Sequence, residues 1–200
     1  DEMLRGHGPD FEFASRAEDA TRIAATGKRI VYKSIENAYP LGENIDLLDE
    51  FYAAGVRMVG LVHSKNNQFA DSATDLKGQK WGGLSPLGRQ LIRRANRLGI
   101  IVDMSHAHDD ALAQAIELSA TPIILSHSGA AILHKHPRNV PDDLLKKLAR
   151  SGGVIQINSL SAYLRESRAD PNRLPEFLAI YRKYQNAPGG MRENHKAFVA

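Results

Sequence analysis

Residues 99–110 read GIIVDMSHAHDD and residues 121–129 read TPIILSHSG. In each, an apolar run leads into a Ser-His pair: Ile100, Ile101, Val102 and Met104 into Ser105-His106, and Pro122, Ile123, Ile124 and Leu125 into Ser126-His127. A buried strand ordinarily stops at a turn residue. Two strands that stop at Ser-His bring two imidazoles to one rim, and reading these runs as successive parallel strands decides the fold.

Three further segments read as strands: 29–36 (RIVYKSIE), 56–63 (VRMVGLVH) and 153–159 (GVIQINS), beside 99–106 and 121–127. Most are near-continuous apolar runs, the pattern of parallel strands covered on both faces. Helical patterns lie between them at 15–26, 45–54, 86–98, 109–119 and 141–151. The helix at 86–98 has Ser85 as N-cap, Pro86 at its first position and Gly99 after its end. Asp109 and Asp110 suit the positive end of the next helix, as Asp142 and Asp143 suit the one after. Strand–helix alternation argues for an α/β fold with a parallel sheet. The polar stretch 64–84 follows a strand end, where functional loops of such folds sit. After residue 160 the pattern weakens: LPEFLAIYRKY reads as a helix and NAPGGMRENHK as a loop.

The 200 residues suffice for a sizeable core and are read as one domain. The absence of cysteine rules out disulfides and thiolate metal sites, so any metal must be held by nitrogen and oxygen. No apolar run approaches the roughly 20 residues of a membrane span. The net charge of +3 invites a nucleic-acid reading. However, Arg89, Arg93 and Arg97 recur every four residues opposite Leu87, Leu91, Ala95 and Leu98, as on the solvated side of an amphipathic helix. No aromatic residues interleave with them to stack on bases. Nucleic acid is therefore excluded as a partner.

Three strands end in histidine (His63, His106 and His127) and a fourth in Glu36. All lie at C-terminal strand ends, where barrel enzymes assemble their sites. Imidazole and carboxylate groups converging there suit a divalent metal. His108 reads as a helix cap or surface residue. Lys135 and Arg138 disfavour a dication at His134 and His136. Arg138 itself reads either as a carboxylate-binding guanidinium or as a salt bridge to Asp142 or Asp143, with the salt bridge favoured on sequence alone.

The stretches GVRMVGLVHSKNNQFADS, GLSPLGRQLIRRANRLGIIVDMSHAH, TPIILSHSGA and HPRNVPDDLL resemble the renal, or membrane, dipeptidase family (peptidase family M19 of the metal-dependent hydrolases). The resemblance covers about residues 30–165. It implies a (β/α)8 TIM barrel with two zinc ions bridged by a glutamate. It also implies a dipeptide substrate, attacked at its peptide carbonyl by a metal-bound hydroxide. On this resemblance Glu36, in KSIENAYPLG, falls at the bridging position, and His106 and His127 match the histidines that complete the second metal site. His63 matches a catalytic, substrate-supporting histidine. Arg138 and Tyr163 match side chains near the substrate's terminal carboxylate. Related enzymes are often dimers, so a homodimer is allowed; the compartment is left open between cytoplasm and periplasm.

The chain departs from the pattern in two places. The family's first strand ends in a His-x-Asp pair that holds the first metal; RGHGPD around His7 lacks the apolar lead-in and the spacing. A late aspartate of the family is expected beyond residue 200. A complete barrel has eight strands and about 250 residues, so five strands are expected to be the interior portion of one. Two other readings stay open: a truncated, non-catalytic metal-binding fragment, and a related barrel hydrolase acting on a cyclic amide or lactone.

Overall fold

The β-branched and leucine-rich runs do form parallel strands, and the Ala- and charge-rich segments between them form helices. A computed structural model describes residues 6–166 and 171–185. The chain divides into two compact units, residues 1–165 and 166–200. In the first, the elements are β1 (Phe11–Phe13), α1 (Ala17–Ala25), β2 (Arg29–Val31), β3 (Lys33–Ile35), α2 (Leu47–Ala53), β4 (Val56–Gly60) and α3 (Pro86–Leu98). They continue with β5 (Ile101–Asp103), α4 (Asp109–Leu118), β6 (Ile124–Ala130), β7 (Asn139–Val140), α5 (Asp142–Arg150), β8 (Val154–Ile157) and the short α6 (Ser161–Leu164). In the second unit, α7 (Arg173–Gln185) covers the segment expected to be helical. The expected loop at 186–196 lies outside the described residues.

Strands β3, β4, β5, β6 and β8 pair in parallel and in chain order, with the two-residue β7 also bonded to β6. A doubly wound sheet reverses its strand order at a switch point; an order that never reverses is that of a barrel wall. The expected α/β barrel architecture therefore holds over these five strands.

The helices are punctuated as their sequences dictate. Ser85 Oγ accepts the Gly88 N–H at 2.9 Å, Pro86 opens α3, and Gly99 closes it in the left-handed region at φ 74°. Helix α3 buries Gly88, Leu91, Ile92 and Ala95 and leaves Arg93 and Arg97 in solvent. Arg89 is half-buried and donates to Gln114 Oε1 at 2.7 Å, tying α3 to α4. The core lies between helices and sheet, built on Leu48, Val59, Leu91, Ile92, Val102, Leu112, Leu125 and Leu148.

Two expectations need correction, and one strand was not foreseen. The segment 29–36 is two strands: β2 pairs with β1 in a separate parallel ribbon, and β3 pairs with β4 through a register shift between Lys33 and Ser34. The chain changes partners at Tyr32, between the two strands. Strand β1 is three residues of FEF, too short to carry a period. The apolar runs are not covered on both faces. Val102 is fully buried, whereas its neighbour Ile101 is 42% exposed, as are Val154 and Ile157 to 54% and 63%. No helix of the described residues is long and apolar enough to cross a membrane.

Candidate metal centre

Glu36 follows β3 directly, His63 and His106 each lie three residues beyond their strands, and His127 sits inside β6. Only Glu36 stands at a strand end as expected. The histidines of β4 and β5 are carried on short loop extensions, and β6 runs on to Ala130 because Gly129 and Ala130 pair with β7.

Glu36, His106 and His127 each turn one ligand atom into a common space, all within 4.8 Å of one another. Glu36 Oε1 lies 3.2 Å from both His106 Nε2 and His127 Nε2, and the two Nε2 atoms are 2.8 Å apart. A tetrahedral ion with bonds near 2.0–2.1 Å spaces its ligand atoms by about 3.3 Å. The triangle is close to that size. Two imidazole nitrogens facing each other across a carboxylate need a proton or a cation between them, so the donor set fits a divalent metal.

His106 is the buried corner, with a side chain 7% exposed. Burial above all, then the charges of Arg138, His63 and His127, lowers its pKa from 6.5 to about 3, so it stays neutral with a lone pair free. Its backbone adopts φ 73°, in the left-handed region that a residue with a Cβ rarely enters. The loop of residues 64–84 holds it there: Ala73 N–H donates to the His106 carbonyl at 2.8 Å, and the Ser72 hydroxyl donates to the His63 carbonyl at 2.5 Å. That loop winds round the fully buried Asp71, whose carboxylate accepts the N–H groups of Lys80, Trp81 and Gly83 at 2.7–2.9 Å. The polar loop is thus a clamp on two of the rim histidines.

His63 Nε2 lies 3.8 Å from Glu36 Oε1, and its ring stacks 4.1 Å from that of His106. Arg138 is buried at 4% exposure, and one Nη2–H donates to the His127 carbonyl at 2.7 Å. Its Cζ lies 5.4 Å from the centre of the Tyr163 ring. Burial pulls its pKa below the arginine range, while the Tyr163 phenol, Glu36 and Asp103 favour its cation. Among the described residues no ion pair joins Arg138 to Asp142 or Asp143, and its buried Nε–H has no acceptor. The salt bridge favoured from sequence is therefore not formed: the guanidinium points inward to His127. His108 is the N-cap of α4, with Nδ1 accepting the Asp110 N–H at 3.2 Å, as expected. His136 stacks on Tyr163 and caps the Arg138 N–H through Nδ1 at 3.0 Å.

The profile of the membrane dipeptidases, peptidase family M19, matches residues 1–189. The chain belongs to the membrane dipeptidase family. It is 42% identical over 148 residues to dipeptidase tcpJ of Claviceps purpurea, which covers 74% of this chain and 35% of that protein. Among solved structures, the probable dipeptidase PvdM of Pseudomonas aeruginosa superposes with a TM-score of 0.78 at 37% identity, over 95% of this chain and 48% of that one. A Rhodobacter sphaeroides metallopeptidase, solved with a phosphinate mimic of the dipeptide L-Ala-D-Ala, superposes with a TM-score of 0.75 at 25% identity. It covers 88% of this chain, which spans 53% of that structure. The chain thus spans about half the length of these structures, and about a third of the fungal relative.

In this member of the membrane dipeptidases, the residues behind His127 escaped the sequence reading. Asp103, on β5, accepts the N–H groups of Ser105 and Ser126 through Oδ1 at 2.9 and 3.1 Å, and the Ser126 hydroxyl through Oδ2. Ser105 Oγ accepts the His127 N–H at 3.0 Å. Their signal was the repeated Ser-His itself: each serine supports the neighbouring strand as well as preceding a histidine.

Proposed function

We propose that this chain carries a zinc site of a dipeptidase that hydrolyses the peptide bond of dipeptides. The observation that carries the reading is the Glu36–His106–His127 triangle, whose ligand atoms come from one strand and from the chain just beyond two others of a membrane dipeptidase fold and lie within 4.8 Å. All-nitrogen-and-oxygen ligands in a tetrahedral-sized triangle suit zinc. When bound, the metal would supply Lewis-acid polarisation of the carbonyl and a water acidic enough to attack near neutral pH.

The chain's own residues do the rest. Glu36, the least buried of the three with a side chain 53% exposed, would be the ligand able to serve a second ion as well. His63, packed against His106 and beside Glu36, would hold the oxyanion that develops on the carbonyl oxygen. Arg138, with Tyr163 against it, would take the substrate's terminal carboxylate. Such a contact requires a free carboxylate one residue beyond the scissile bond, which selects dipeptides over long chains.

The test is metal content and turnover on the same preparation. Zinc should bind wild-type protein, and His127→Ala should lose it together with hydrolysis of simple dipeptides. Full turnover in His127→Ala would overturn the reading. Zinc binding without turnover on dipeptides, cyclic amides or lactones would instead mark these residues as a metal-binding unit alone.

A further inference from the structure

We propose that Asp103, acting through the Ser126 hydroxyl, is a positioning residue that fixes the proton of His127 on Nδ1 and so leaves Nε2 bare toward Glu36 and His106. The use of that bare nitrogen rests on the metal-binding reading; the placement of the proton does not.

Counting protons leads there. A carboxylate only accepts hydrogen bonds, and a serine hydroxyl has one proton to give. Asp103 is 5% exposed, and its Oδ1 is already occupied by the Ser105 and Ser126 N–H groups. Its Oδ2 faces Ser126 Oγ at close range, so the Ser126 proton goes to Asp103. The other oxygen near Ser126, Ser105 Oγ, is 3.5 Å away and is engaged by the His127 N–H. With its proton spent, Ser126 Oγ can only accept from His127 Nδ1, 2.8 Å away. Nδ1 therefore carries hydrogen and Nε2 presents its lone pair. His106 has no such device, since its Nδ1 is buried without a partner. The two imidazoles of the triangle are thus held by different means: His106 by burial and a strained backbone, His127 by a hydrogen-bonded chain reaching across from β5.

The chain makes a sharp distinction possible. In Asp103→Asn the amide oxygen can keep both backbone N–H groups while the amide nitrogen donates to Ser126 Oγ. The serine then donates to His127 Nδ1, and the histidine proton moves to Nε2. All four hydrogen bonds survive, and only the two that run through the Ser126 hydroxyl reverse their direction. A purely structural Asp103 would show no change in the histidine.

The experiment is nitrogen-15 NMR of the metal-free protein at pH 8, with the His127 signals identified by their loss in His127→Gln. It is paired with titration by zinc alone. The wild type should show Nδ1–H and Asp103→Asn should show Nε2–H, with zinc affinity 10–100-fold weaker, the usual cost of losing a ligand's supporting partner. Ser126→Ala, which removes one hydroxyl, should show a mixture of tautomers and serves if Asp103→Asn does not fold. The same His127 tautomer in wild type and variants overturns the proposal. A switched tautomer with unchanged zinc affinity overturns the positioning role. A switched tautomer in a protein that never binds zinc upholds the proton assignment and sinks the metal reading instead.

Discussion

His106 shows how much a single environment can do to one side chain. Its pKa falls to about 3, chiefly by burial. In the unfolded chain the same imidazole titrates near 6.5. Between these values the unfolded state binds a proton that the folded state refuses, so stability is full above about pH 6.5 and is lost as pH falls. Burial lowers the His136 pKa too, which acts in the same sense. The urea midpoint of metal-free protein should therefore drop between pH 7 and pH 5, and drop less in His106→Gln. Equal slopes would contradict the assignment. Arg138→Ala should raise KM for dipeptides by about tenfold or more, the worth of a charge-assisted hydrogen bond, with a smaller loss in kcat. Because the alanine also removes a donor to the His127 carbonyl, Arg138→Lys is the control that keeps one. A loss confined to kcat in both would place Arg138 among the groups that act on the transition state alone.

At the scale of elements, the rim is set by a loop seated on a helix. Phe69 is fully buried, and its carbonyl oxygen accepts the Ser85 N–H at 3.0 Å at the start of α3. A Cβ on Gly88 would lie 2.0 Å from that oxygen. Gly88→Ala should therefore lift the 64–84 loop from α3 and cost about 1–3 kcal/mol, the usual penalty of overpacking. Because the same loop pins His63 and His106, the variant should also bind zinc more weakly. Unchanged affinity would show that the clamp is dispensable. Helix α3 was legible in full because Ser85, Pro86 and Gly99 mark its ends with local chemistry. The five strands were legible from their apolar runs, but their ends were not. The last apolar residue of 99–106 is Met104, although the strand ends at Asp103. The break at Tyr32 and the link from Asp103 to Ser126 depend on which strand lies alongside, and no single strand's sequence states its register. The two histidines of the triangle were legible because they repeat in kind, whereas the salt bridge favoured for Arg138 does not form because its guanidinium meets a main-chain carbonyl.

For the molecule as a whole, the consequence of drawing ligands from β3, β5 and β6 is that one ion would tie together strand ends far apart in sequence. Glu36 and His106 are 70 residues apart, and β4 lies between their strands. An ion held by all three binds the folded chain and finds no assembled site in the unfolded one, so its binding energy becomes folding energy. Zinc at about one hundred times its dissociation constant should add roughly 2.7 kcal/mol, seen as a higher melting temperature that a chelator reverses. His127→Ala removes one of the three ligand atoms, so its rise in melting temperature with zinc should disappear. A zinc-induced rise that survives in His127→Ala would mean the ion is held elsewhere, and that the triangle at the rim does not bind it.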